Sequence, residues 1–511
     1  GSGGSAATLA PGVTFWDSGE FLAAIHSLGI PHPPGTPLYV IVANVWSRIA
    51  GPILGFTRAV NLFSAICAAA GCAVFAALFA RWMRNAYLGA AAGICAGLTS
   101  TLWLSATETE VYGPAFLVAA LLMWIANEFR ESQDSRYLVM LAYTAALGWA
   151  LHLTALLALP AAIVLVLANG ITVLRARMTP SVVAKCAVAA VVGISVALFM
   201  YLRAAHDPAI NQGNPESLPA LWDVITRRQY EPAGLWPRRA PLYLQFGNLF
   251  EWADWQFALG LDPRQPPSYL RTPVTIGFAM LGIAGSLVHR RKHRVSWRAM
   301  IALLVTATAG VVIYLNLKAG PSYGIGFLEP SAPHEARERD YFFILAWVTW
   351  GLWAGTGATY LSSLVMRGPR LAAPFAFLLA AAPLLLNWRA VDRSRLPESR
   401  EAVQFARDIL RQVPSRGVLL AQGDNDTYPV WYIREVEESR PDVITITVPM
   451  LPTRWYRAEI ARRFELLDMP TVTEWKGTEA TVRVICEKAH RQSRMTVGPM
   501  DVATRTLTPA C

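Results

Sequence analysis

Long apolar blocks alternate along the chain with short, mostly basic breaks; the blocks from Leu62 to Phe79, Val182 to Leu202 and Pro374 to Leu386 carry almost no charge. Such runs exceed barrel strands in length and lack their alternation, so membrane-spanning helices are the expected form. At about 20 apolar residues per span, spans are expected at 58–80, 86–104, 111–128, 137–151, 153–173, 182–202, 272–289, 299–317, 341–366 and 371–388. The fourth and fifth are short and adjoining. Segment 36–54 is also apolar, but it contains Asn44, Trp46 and Arg48 and follows directly on Pro33, Pro34 and Pro37. That suits a helix lying at the membrane surface.

Charge tests the orientation independently, because cytoplasmic loops are the basic ones. Alternation places on that side Arg81 and Arg84, Arg130 and Arg136, Arg175 and Arg177, the run Arg290-Arg291-Lys292-His293-Arg294, and Arg367 with Arg370. A span at 36–54 would invert every later loop and break this pattern. The outward set is then 1–57, the turn 105–110, the long stretch 203–271, the loop 318–340 and everything after 388. An even number of spans leaves both ends outside, so a further membrane helix upstream is expected, present as a separate partner or absent from the chain.

After Trp388 the pattern changes. A polar helix is expected at 398–412, a strand at 417–421, a helix near 427–438, a strand at 443–448 and a helix at 454–466. This alternation describes a small α/β domain over 389–511, large enough to bury its own core. The domain plan is therefore a linker or processing scar at 1–5, an outward loop with juxtamembrane helices at 6–57, a transmembrane domain at 58–388 and the soluble domain on the non-cytoplasmic side.

Composition agrees, with 54% hydrophobic and only 16% charged residues against roughly 25% charged in ordinary soluble domains. The formal charge of +10 sits in short loops with no recognition motif, which excludes nucleic acid as a partner. Cys67, Cys72, Cys95 and Cys186 lie within apolar runs as packing residues. Cys486 and Cys511 could pair in an oxidising compartment.

The unusual polar motifs all fall on the outward side. Asp17 and Glu20 lie three apart on one helix face, suited to taking a proton from a hydroxyl or holding a divalent cation; helix capping is the simpler use of the same pair. His32, followed by Pro33, Pro34 and Gly35, is held at a fixed place by a stiff turn. Glu108 and Glu110 are expensive so close to hydrocarbon unless they act. His152 stands at the junction of the two short spans, as a functional or a packing histidine. Arg337 and Arg339, interleaved with acids before a span, put guanidinium groups at the height of lipid phosphates. Asp424, Asn425 and Asp426 follow a strand and open a helix, where α/β domains present ligand loops and caps.

Taken in order, Trp16-Asp17-Ser18-Gly19-Glu20-Phe21, His32-Pro33-Pro34-Gly35-Thr36-Pro37-Leu38, Glu108-Thr109-Glu110-Val111-Tyr112, Arg339-Asp340-Tyr341-Phe342-Phe343 and Gly423-Asp424-Asn425-Asp426-Thr427-Tyr428-Pro429 resemble the protein O-mannosyltransferase-like membrane family that includes transmembrane protein 260. The resemblance runs over nearly the whole chain. It implies a C-type (GT-C) polytopic glycosyltransferase, in which an acid on the first outward loop is essential and a polyprenyl-phosphate sugar enters from the membrane. On that resemblance Asp17 is the base, Glu20, His32, Glu108, Glu110 and His152 position acceptor, donor or a divalent cation, and Arg337 or Arg339 meets the lipid phosphate. The implied setting is a bacterial inner membrane with the site facing the periplasm and a protein Ser/Thr, lipid or glycan as acceptor. A transporter or flippase would instead need charges along a path and repeated halves, and the spans are nearly charge-free. A non-catalytic scaffold displaying the C-terminal domain would use the acids only as caps.

Overall fold

The computed structural model describes every residue except 1–3, 5–6, 231–233, 263–266, 325–327, 330, 367 and 502–503, and all but the side chain of Pro369. Most of the expected linker at 1–5 and the basic Arg367 therefore lie outside the described residues.

Each expected span coincides with a helix or a bent helix pair. Among the described residues, seven helices are long and apolar enough to cross a membrane, and nine if each of two bent pairs counts as one span. The first pair, Ala86–Gly97 and Ser100–Ala106, bends by 73° where the Thr99 hydroxyl turns back onto the Ala96 carbonyl. The bend swings Ser100 and Thr101 toward the backbone of Trp255 and the side chain of Gln256. The second, Leu153–Asn169 and Ile171–Arg177, bends by 93° at Gly170, whose φ of +97° needs a residue without a Cβ.

Ile344–Val365 fits the expected span at 341–366 but is less hydropathic than its neighbours, because protein and not lipid covers it. Leu345, Val348, Leu352, Trp353, Ala354 and Ala358 are all buried. Glycines permit that depth: a Cβ on Gly351 would stand 2.6 Å from the Cα of Ala96, and one on Gly355 would stand 2.7 Å from the Cα of Ala92. On the other side, Gly285 and Gly357 bring Arg271–Lys292 into backbone contact with the same helix. Dispersion across such close helix faces holds bundles together where lipid removes the hydrophobic drive.

The segment expected at the membrane surface forms the helix Pro37–Leu54, which by length and composition is also sufficient to cross a membrane. Its polar residues are satisfied by protein. Asn44 donates to the Ile25 carbonyl at 2.7 Å and Trp46 to the Ala59 carbonyl at 2.7 Å, and Arg48 donates to Asn44 at 3.0 Å. Val42, Val45, Ile49 and Ile53 form the exposed stripe.

The outward stretch 203–271 carries the helices Leu218–Ile225 and Leu242–Asp254. It is tied to the juxtamembrane region by a parallel bridge between Ile30 and Asn211.

The C-terminal domain has the expected α/β character. Strands β1 (Val418–Ala421), β2 (Ile444–Thr447), β3 (Thr496–Asp501) and β4 (Thr506–Pro509) lie in the order β2-β1-β3-β4, parallel except for the last pair. Helix Glu401–Gln412 buries Ala402, Ala406, Ile409 and Leu410 as one stripe. The helix expected near 427 begins at Asp424, because Asp426 reaches back to the Gln422 amide at 3.3 Å and secures the extra turn. Cys486 and Cys511 form a disulfide.

This domain is not an appendage. Arg462 grips Asp207 through both guanidinium nitrogens at 2.7 Å, Trp455 donates to Gln229 at 3.2 Å, and Thr57 and Tyr432 share a hydroxyl hydrogen bond of 2.9 Å. It sits on the outward loops and covers the acidic motifs.

Candidate active site

Helix Ser18–Ser27 begins two residues after Trp16, a bulky residue held at φ 64°. Asp17 occupies the N-cap position yet makes no side-chain cap bond, so capping does not explain it. Its Oδ2 instead accepts from Arg337 Nη2 at 2.6 Å. The side chains of this pair are only 13% and 15% exposed. The Arg337 guanidinium is also flanked by the rings of Trp16 and Tyr341, with centroids at 5.0 and 4.8 Å. Burial by itself would raise the Asp17 carboxyl, but Arg337, His32 and Arg339 outweigh it and hold the carboxylate ionised below its ordinary range.

Glu20, one helical turn on, is fully buried and likewise is no capping-box partner. It accepts from the His32 backbone amide at 2.8 Å, bonds His32 Nδ1 at 2.5 Å, and takes the Gln212 amide. Burial pushes the Glu20 carboxyl up against the opposing pull of His32. Burial draws the His32 imidazole down, but Glu20, with Asp17 behind it, raises it to about 9. The pair thus holds a shared proton at neutral pH.

This raised value sets a pH dependence. The folded imidazole is more basic than its ordinary 6.5, so the stabilisation is complete below that pH and is lost as pH climbs through about 9. Thermal unfolding followed from pH 7 to pH 10 should show a fall that His32→Gln flattens. An equal fall in the variant would remove His32 as its origin.

The remaining acids divide. Glu108 accepts from Arg393 at 2.5 Å and Thr14 at 2.6 Å, fastening the N-terminal segment to the end of the last span. Glu110 is buried with Oε2 unpartnered; burial, then the charges of Asp17 and Glu108, raise its carboxyl well above the usual range. It lies close enough to Asp17 to feel its charge. His152 accepts from the Thr154 amide at 3.3 Å and meets the Tyr112 ring edge-on at 5.2 Å; Tyr112 in turn packs on Tyr341 at 4.9 Å. Arg339 donates to the Tyr341 hydroxyl at 2.6 Å and lies 3.6 Å from Glu335.

From the C-terminal domain, Asn425 Oδ1 accepts from the Trp16 amide at 2.8 Å. Asp424 is exposed, and partial enclosure followed by the charge of Asp17 raises its carboxyl. Asp426 is spent on backbone, the capping role the sequence allowed for it.

The geometry also recruits residues to which the motif reading assigned no role. Gln212 completes the Glu20 cluster; its only signal in the sequence is the polar run Asn211-Gln212-Gly213-Asn214 within an outward stretch. Asp340 is held by the Thr101 hydroxyl at 2.5 Å and pushed up to about 6 by burial. Arg227 is exposed, stands 5.5 Å from the centre of the Tyr230 ring, and has no ion pair among the described residues. Its charge reaches His32. Among the described residues no three His, Cys, Asp or Glu side chains are grouped to hold a metal ion.

A helical membrane bundle capped by a small α/β domain, with buried acids and arginines gathered between them, defines a polytopic membrane protein of the C-type glycosyltransferase fold. Two crystal structures of ArnT from Cupriavidus metallidurans share that fold. The one bound to undecaprenyl phosphate matches with a TM-score of 0.53 at 9% identity over 86% of this chain and 87% of that one. The apo form gives 0.51 at 12% identity, covering 88% of each chain. Two family models match parts of the chain: the protein O-mannosyl-transferase TMEM260 N-terminal domain matches residues 17–174 and the TMEM260-associated domain 2 matches residues 402–483. Protein O-mannosyl-transferase tmem260 of Dictyostelium discoideum is 18% identical over 91% of this chain, and TMEM260 of Mus musculus 21% identical over 91%. The chain spans 58% and 64% of the length of these two relatives.

Proposed function

We propose that this chain transfers a sugar from a polyprenyl-phosphate donor to a hydroxyl acceptor, a protein Ser or Thr in the first instance, at the outer face of the membrane. The observation that carries this reading is the ionised, nearly buried Asp17 held by Arg337 among charged loops on one face of the bundle. The names of the curated relatives, and the undecaprenyl phosphate in one ArnT structure, support a glycosyl transfer from a lipid-linked donor.

Arg337 takes one Asp17 oxygen and leaves the other for the acceptor hydroxyl. The acceptor oxygen attacks the anomeric carbon from the face opposite the phosphate, the carbon–oxygen bond to phosphate breaks, and configuration inverts. Pairing with Arg337 makes Asp17 a weak base at rest. It therefore takes the hydroxyl proton as the new bond forms, when that oxygen has become acidic. The leaving phosphate gains charge and needs cations instead of a proton. Arg337 is already committed to Asp17, so Arg339 and the unpaired Arg227 are the guanidinium groups that meet it. Glu110, neutral, can donate a hydrogen bond to the bound sugar or acceptor.

In this reading the site faces the periplasm or an equivalent compartment, as the basic opposite loops and the disulfide in the C-terminal domain support. The helix Pro37–Leu54 lies along the surface with its apolar stripe toward lipid. Purified protein in bilayers, given labelled polyprenyl-phosphate mannose and a Ser/Thr peptide, should yield labelled peptide. Absence of transfer with every polyprenyl-phosphate sugar tried would overturn the reading, and an EDTA titration of the same assay reports whether a divalent cation takes part.

A further inference from the structure

Trp16 lies in the left-handed region at φ 64°. That conformation is strained for a bulky side chain and persists only where surroundings enforce it. What it achieves is visible on Arg337: the Trp16 ring covers one guanidinium face at 5.0 Å while the next residue, Asp17, bonds the same group at 2.6 Å. In ordinary extended backbone two successive side chains point to opposite sides, and one cation could not receive both.

What enforces it comes from the other end of the chain. The Trp16 amide donates to Asn425 Oδ1 at 2.8 Å. Just beyond, the backbone of Tyr428 and Pro429 presses against Gly19 so closely that a Cβ there would stand 2.5 Å from the Tyr428 carbonyl carbon. Phe15 packs on Phe405 at 5.9 Å. The segment bearing Asp17 is therefore held on three successive contacts by the C-terminal domain.

We infer that Asn425 is a positioning residue for Asp17, and that through it the C-terminal domain completes the active site by holding Trp16 in its left-handed conformation. This deepens the proposed function and rests on Asp17 acting there. Asn425 touches no reacting atom; it fixes where the Asp17 carboxylate stands relative to Arg337.

The test uses the full chain in bilayers with Asn425→Leu, which keeps the shape and removes the acceptor. Turnover should fall about 10²-fold, the scale of a small misplacement at a reacting centre, with half-saturation by lipid donor little changed. Trp16→Gly reaches the same backbone conformation without steric cost, so adding Asn425→Leu to it should cost far less than in the Trp16 background. Equal losses in both backgrounds, or turnover within about threefold of the parent, would overturn the inference.

Hydrogen exchange over residues 13–21 decides the structural half without any turnover. Exchange there should quicken in Asn425→Leu by about an order of magnitude while β1 and β2 keep their protection; unchanged exchange overturns the inference. If the parent chain transfers no sugar at all while exchange still responds, the proposed function falls and the positioning role stands.

Discussion

Asp17→Asn should lose about 10²–10⁴-fold in sugar transfer, the range expected when a positioned acid–base group is removed, with the fold intact. The amide is the same size as the carboxylate and its oxygen can still accept from Arg337 at the place where Oδ2 now does, 2.6 Å away. The charge that balances the nearly buried Arg337 is lost, however, so stability should fall by about 1.5–3 kcal/mol. What disappears is the capacity to take a proton. Because Arg337 holds the carboxylate below its ordinary range, the stabilisation from Asp17 is present above that range and is lost as pH falls through the lowered value. Initial rates with labelled donor, alongside thermal unfolding, check both parts; a variant turning over within tenfold of the parent would remove Asp17 from the chemistry.

Arg337→Met should be worse for the protein as a whole. It strands a nearly buried carboxylate without its partner, and breaking such a pair costs about 3–5 kcal/mol at the buried limit. Some of that is relieved here because the pair keeps 13% and 15% exposure. It also removes the cation between the Trp16 and Tyr341 rings. Asp17 should then titrate upward, since burial, the largest influence on it, is no longer opposed by its nearest charge. Activity and melting temperature should fall together. The double variant Asp17→Asn with Arg337→Met should recover much of the melting temperature and none of the activity, because neutralising the stranded group cancels only the electrostatic loss. A double variant no more stable than Arg337→Met alone would show that Arg337 stabilises through its ring contacts and not through Asp17.

These two substitutions separate roles that the motifs left merged. Interleaved arginines before a span suggested that either Arg337 or Arg339 could meet a lipid phosphate. The structure pairs Arg337 with Asp17, leaves Arg339 with Tyr341 and a looser contact to Glu335, and shows Arg227, on a loop with no motif of its own, against the Tyr230 ring. The two acids of a single turn part company: Glu108 bonds Thr14 and Arg393, while Glu110 is buried with Oε2 unpartnered and its carboxyl raised well above the usual range.

The spans and the α/β character of the C-terminal domain were legible in the residue order alone, and the basic loops supply an expectation of orientation. Those properties depend on local composition: an apolar run must be buried in hydrocarbon wherever it lies, a basic loop resists crossing, and strand and helix periods are read within a few residues. Which acid meets which base emerges only once the chain is folded. Asp17 and Arg337 are 320 positions apart and Trp16 and Asn425 are 409 apart; both pairings depend on how loops from separate spans and a separate domain converge. A carboxylate carries no mark of its partner, so Asp17 and Glu20 read equally well as helix caps until burial and geometry gave the first to Arg337 and the second to His32 and Gln212.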